Sequence, residues 1–172
     1  AGPSDSIVVD GGQVAFLGLT LSDGYAAEYG GAVMNNSTAT VTVASSILTG
    51  NLADKAGGAI DNHLGGTVEV LGSTLTNNVA FESGSALNNQ RGGTLTITNS
   101  TISSNSAADV GLDETLAGAG AIANNAELDA VGTIALTGSR VTDNAAGGSR
   151  GGAALSNDGV GLVAVEGTTF SK

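Results

Sequence analysis

The chain has 172 residues, 16 Asp plus Glu against 5 Lys plus Arg for a formal net charge of −11, and only 3% aromatic residues. Little is basic enough to neutralise phosphates and few rings can stack on bases, so nucleic acid and anionic membrane surfaces are excluded as natural partners. With Cys 0 there is no disulfide, thiol nucleophile or Cys-metal site, and the longest apolar run falls far short of the roughly 18 residues of a membrane span.

Residues 1–11 form a lead-in that carries the strand-like Ile7-Val8-Val9. Residues 12–24 then set a pattern that returns at 39–51, 66–78, 93–105 and 132–144, and in part at 161–172. The first four copies begin 27 residues apart and the next two steps are 39 and 29, so residues are inserted without loss of register. A second motif falls between the copies. It reads Gly30-Gly31-Ala32-Val33-Met34-Asn35, Gly57-Gly58-Ala59-Ile60-Asp61-Asn62, Gly84-Ser85-Ala86-Leu87-Asn88-Asn89, Ala119-Gly120-Ala121-Ile122-Ala123-Asn124 and Gly152-Ala153-Ala154-Leu155-Ser156-Asn157.

Inside the copies, Thr40-Val41-Thr42-Val43, Thr67-Val68-Glu69-Val70 and Thr94-Leu95-Thr96-Ile97 alternate with period two and are rich in β-branched residues, a strand signature. Gly, Ser or Asn follows each within a few residues and bends the chain. A 27-residue unit of three short strands and three bends, without a helical stretch, predicts an all-β fold. That fold is a right-handed parallel β-helix, or β-solenoid, of about six rungs stacked at about 4.8 Å. The hand follows from the crossover preference of parallel strands. One domain covers 1–172, with longer loops at 106–118 and 126–131.

Columns of equivalent residues define the interior. Val14, Val41, Val68, Leu95, Ile134 and Val163 form one; Phe16, Val43, Val70, Ile97, Leu136 and Val165 a second; Leu21, Leu48, Leu75, Ile102, Val141 and Phe170 a third. The second motif adds Val33, Ile60, Leu87, Ile122 and Leu155. Two columns are alanine throughout, at 26, 53, 80, 107 and 146 and at 32, 59, 86, 121 and 154, where the wall is expected to bend closely over the core. Two more are asparagine: Asn51, Asn78, Asn105 and Asn144, and Asn35, Asn62, Asn89, Asn124 and Asn157. Asparagine tolerates left-handed bends and its amide can bond the next rung, so both columns are expected to be structural ladders at the corners.

The paired motifs, Gly57-Gly58-Ala59-Ile60 with Leu48-Thr49-Gly50-Asn51 and the equivalents ending at Asn78, Asn105 and Asn144, resemble the Gly-Gly-Ala-Ile and Phe-x-x-Asn repeats of the polymorphic outer-membrane-protein family and related bacterial surface β-helix proteins. Leu, Ile or Val stands here in place of Phe. The opening Ile7-Val8-Val9-Asp10-Gly11-Gly12 is similar to the lead-in of such domains. The resemblance implies a surface location and adhesion more than any chemistry.

Parallel β-helix enzymes acting on acidic polysaccharides need carboxylates or bases on adjacent rungs of one groove. Here Glu69 shares its column with Ala15, Thr42, Thr96 and Ala135, and Asp61 shares its column with Met34, Asn88, Ala123 and Ser156. Asp23 and Asp143 share a column but lie four rungs apart. The chain is therefore expected not to be an enzyme and to need no cofactor or metal; a polysaccharide-binding or polysaccharide-degrading β-helix is the alternative. His63, the single histidine, is expected on an exposed turn, and Glu28, Lys55 and Glu82 form a surface column of alternating charge. The longer loops gather Asp109, Asp113, Glu114, Glu127 and Asp129, weak candidates for contact with a hard cation or a partner. The outward threonine columns of the long strands are too broken, by Gln13, Leu162, Ala15, Glu69, Ala135 and Ala164, for an ice-ordering surface.

Neither end carries an obvious cap, which a solenoid normally needs. Ile7, Val8 and Val9 at one end and Phe170 and Lys172 at the other are the candidate assembly contacts. The expectation is a non-catalytic extracellular or cell-surface β-solenoid, structural or adhesive. Its partners would be its own copies, joined head to tail into filaments, or a cell-surface or matrix component, without nucleic acid or membrane insertion. A passenger fragment of a larger surface adhesin would carry the same features.

Overall fold

Alternating Thr and Val with no helix-favouring run makes each repeat extended, and the computed structural model describes residues 5–107, 120–125, 130–147, 152–158 and 160–172 of the coil that results. The five-residue alternating segments become Gln13–Leu17, Thr40–Ala44, Thr67–Leu71, Thr94–Thr98, Thr133–Thr137 and Leu162–Glu166, a six-stranded parallel first wall. After one corner, Thr20–Ser22, Ile47–Thr49, Thr74–Thr76, Thr101–Ser103, Arg140–Thr142 and Thr169–Ser171 form the second wall. The third wall is built of the two-residue strands Tyr25–Ala26, Leu52–Ala53, Val79–Ala80, Ser106–Ala107 and Ala145–Ala146. The second motif supplies the fourth: Ile7–Val9, Val33–Asn35, Ile60–Asn62, Leu87–Gln90, Ile122–Asn125 and Leu155–Asp158.

The chain is thus an all-β parallel β-solenoid of about five turns on a repeat of about 27 residues. Each turn has four strands where the sequence predicts three, because a two-residue strand is too short to show an alternating pattern. The lead-in is itself part of the coil: Ile7 pairs with Val33 and Val9 with Asn35.

Register carries every column through the stack. Val14, Val41, Val68, Leu95, Ile134 and Val163 are successive partners in the first wall. In the middle turns these and their companions Val43, Val70, Ile97, Leu48, Leu75, Ile102, Ile60 and Ile122 are almost wholly buried in one continuous core. The alanine column at 32, 59, 86 and 121 joins that core. The inserted residues do not shift the pairing: Thr94 still meets Thr133 and Ser106 still meets Ala145.

The corners hold a correction. Left-handed backbone falls on Asp23, Gly50, Asn77, Ser104 and Asp143, one residue before Gly24 and the ladder positions Asn51, Asn78, Asn105 and Asn144, and not on those asparagines. Their side chains are selected for the amide group, not for tolerance of the bend.

Candidate functional site

Two asparagine ladders run inside the corners. In one, each amide donates to the oxygen of the next: Asn35 to Asn62 at 3.0 Å, Asn62 to Asn89 at 2.8 Å, Asn89 to Asn124 at 2.9 Å and Asn124 to Asn157 at 2.8 Å. In the other, Asn51, Asn78, Asn105 and Asn144 link at 2.9, 2.9 and 3.0 Å; the oxygens of Asn78, Asn105 and Asn144 also accept the backbone N–H of the asparagine below, and that of Asn51 accepts from Gly24. A third ladder lies between the first and second walls. The hydroxyl of Ser73 accepts the backbone N–H of Ser46 at 3.1 Å, that of Ser100 accepts from Ser73, Ser139 accepts from Ser100, and Thr168 accepts from Ser139. These groups are consumed by the fold.

The residues that remain for function face outward. On the outer face of the fourth wall, residues two apart point the same way, which sets Asp61 beside His63 and Asn88 beside Gln90 one turn on. Asp61 is nonetheless fully buried, because the corner between the third and fourth walls folds across this face; the Cβ a residue at Gly57 would need lies 2.7 Å from that of Asp61. Its Oδ1 accepts from Asn88 Nδ2 at 2.6 Å and Gln90 Nε2 at 3.2 Å, and its Oδ2 faces His63 Nδ1 at 3.1 Å. The network continues upward: Asn125 Nδ2 donates to Asn88 Oδ1 at 2.7 Å and to Ser83 Oγ at 2.9 Å. Burial pushes the Asp61 carboxyl above the usual carboxylate range, and hydrogen bonds from His63, Asn88 and Gln90 oppose the rise.

At the rim the His63 ring lies 4.5 Å from that of Tyr29, and the Lys55 ammonium stands 5.2 Å from the Tyr29 ring centre. Lys55 pairs with Glu28 at 2.7 Å, which lowers the Glu28 carboxyl. Burial raises the carboxyl of Glu82, the next member of that column, while Lys55 pulls it down. His63 is therefore no exposed turn residue: its side chain is 14% exposed and held by a buried carboxylate.

Chemically the cluster offers one oriented imidazole. Facing an ionised Asp61, which only accepts, the ring carries a hydrogen on Nδ1. Among the described residues no three His, Cys, Asp or Glu side chains converge as a metal site would require.

Asp109, Asp113, Glu114, Glu127 and Asp129 lie outside the described residues. At the ends, Ile7 and Val8 are 40% and 50% exposed while Val9 is buried beneath Asn35. Phe170 is 43% exposed, and Lys172 lines an open hollow of about 320 Å³ with Val141, Ala146 and Ala154.

The second wall presents a more regular outer face than the first. Thr20 and Ser22, Thr74 and Thr76, Thr101 and Ser103, and Thr169 and Ser171 stack in two columns with Thr49 and Thr142, interrupted by Ile47 and Arg140. The Thr-x-Thr or Thr-x-Ser triplets at 74–76 and 101–103 are the signal that could have found it.

Scans of the chain against protein-family models, curated proteins and solved structures return no match.

Proposed function

We propose that the chain is a non-catalytic extracellular or cell-surface β-solenoid that acts through its outer walls as a structural or adhesive element, of the kind the polymorphic outer-membrane-protein repeats suggest. The observation that carries this reading is the second wall: two in-register columns of hydroxyls, with Arg140 their one charge, on a chain of net charge −11. A hydroxyl face with so little charge suits a hydrogen-bonding partner such as a matrix glycan or protein surface, and the ladders brace it. Beads coated with the protein should adhere to cells or immobilised matrix, and Thr74→Lys with Thr101→Lys should reduce adhesion several-fold while circular dichroism stays unchanged. Equal adhesion by the double variant would overturn the assignment.

A second reading concerns assembly. Among the described residues, the strands Gln13–Leu17 and Leu162–Glu166 each pair on one edge alone, flanked by exposed Leu17, Leu162 and Val165. Such edges continue a coil, into more of the same chain or into a second copy. Sedimentation across concentration separates these: head-to-tail filaments lengthen with concentration, and a monomer at all concentrations excludes them.

A further inference from the structure

Asp61 is a fully buried carboxylate whose two oxygens are not equivalent. Oδ1 accepts from the amides of Asn88 and Gln90, at 2.6 and 3.2 Å, which occupies both its lone pairs, whereas Oδ2 faces His63 Nδ1 at 3.1 Å. A proton added to this carboxylate goes to Oδ2, where it meets the imidazole N–H. Two donors cannot bond each other. A neutral imidazole keeps the contact only by moving its hydrogen to Nε2; an imidazolium, with hydrogens on both nitrogens, has to let go. Of the three side chains bound to Asp61, His63 stands at the rim, 14% exposed and free to turn toward water, while Asn88 is 1% exposed and tied to Asn125.

We propose that Asp61 and His63 form an acid-released clasp that fastens the Tyr29 corner to the fourth wall, closed while Asp61 is ionised and open once Asp61 takes a proton beside an imidazolium. When closed, the His63 ring packs at 4.5 Å against Tyr29, whose ring also receives Lys55. When open, Tyr29 loses that contact and becomes available on a surface with few aromatic residues.

Among the described residues, Glu28, Tyr29 and Lys55 stand around the clasp on the corner turns, with Glu82 beyond Lys55; the fourth wall sets the neutral amides of Asn88 and Gln90 against Asp61, and Arg91 follows Gln90. Glu28 and Lys55 neutralise each other at 2.7 Å, so neither replaces His63 as the partner of Asp61. Burial holds the Asp61 carboxyl above the ordinary range, so it takes a proton more readily than an exposed aspartate would.

The chain has one histidine, so nitrogen-15 and proton NMR of that ring report the clasp without ambiguity. At neutral pH the ring should show the Nδ1–H tautomer and proton signals displaced by the Tyr29 ring current. On acidification that displacement should disappear while the strand signals stay in place. Asp61→Asn puts a donor where Oδ2 stood and should abolish the Nδ1–H tautomer at neutral pH. Should Asp61→Asn not fold, Tyr29→Leu serves instead: it should remove the ring-current displacement yet keep the Nδ1–H tautomer at neutral pH. The proposal fails if Asp61→Asn retains the wild-type tautomer, if Tyr29→Leu loses it, or if the wild-type ring-current displacement survives acidification.

Discussion

At the scale of single residues the fold depends on polar groups placed where no water reaches. Asn78 is wholly buried; its amide donates to Leu48 O at 3.1 Å and Asn105 Oδ1 at 2.9 Å, and its oxygen accepts from the backbone and side chain of Asn51. Replacing it with alanine leaves several buried groups without partners, each costing about 1–3 kcal/mol. Asn78→Ala should therefore destabilise the chain by about 3 kcal/mol or more, read as a lower urea midpoint. Asp61 makes the opposite kind of statement. Its folded carboxyl is raised above its unfolded value by burial, so the ionised form costs the fold at neutral pH. That cost fades as pH falls through the folded pKa and is gone below the unfolded one. Wild type should accordingly gain stability relative to Asp61→Asn as the medium is acidified, and a constant difference across pH would contradict the assignment.

At the scale of the elements, the walls demand different things of their glycines. Gly58 sits where one turn presses on the next: an added Cβ would run into the Ser85 carbonyl oxygen and lie 2.5 Å from that of Val79. Gly72 has open space around it but a φ of +53°, a conformation side chains resist. Gly58→Ala should cost about 3 kcal/mol through backbone displacement, and Gly72→Ala about 1 kcal/mol through strain; equal thermal shifts would mean the turns are not in contact at Gly58. The elements also differ in how plainly the sequence announces them. The apolar columns are legible because every turn repeats them at one spacing, so Val41, Val68 and Leu95 have to share a side. The serine ladder repeats as regularly, at Ser46, Ser73, Ser100 and Ser139, yet serine in a turn already has a local explanation and hides its second role. The Asp61 cluster escapes a column-by-column reading because its bonds include a diagonal: Gln90 reaches Asp61 from one turn up and two residues across, and comparing like positions finds only an isolated acid.

At the scale of the molecule the coil is a stack in which each turn contacts its neighbours, so stability should grow with the number of turns and fray from the ends. Burial follows that picture: Val68, Val70 and Leu75 in the middle are fully buried, while Val165 and Phe170 in the last turn are 48% and 43% exposed. The stacking itself can be tested by covalent capture, since the chain has Cys 0 and any introduced pair reports alone. Thr67 and Thr94 are direct partners on the outer face of the first wall, within the roughly 4.4–6.8 Å Cα range a disulfide bridges. Under mild oxidation the double variant Thr67→Cys, Thr94→Cys should close its disulfide rapidly in the native state, whereas Thr67→Cys with Thr98→Cys, displaced four residues along the strand, should stay reduced. Comparable closure of both pairs, or closure of the displaced pair alone, would show that successive turns are not stacked in this register.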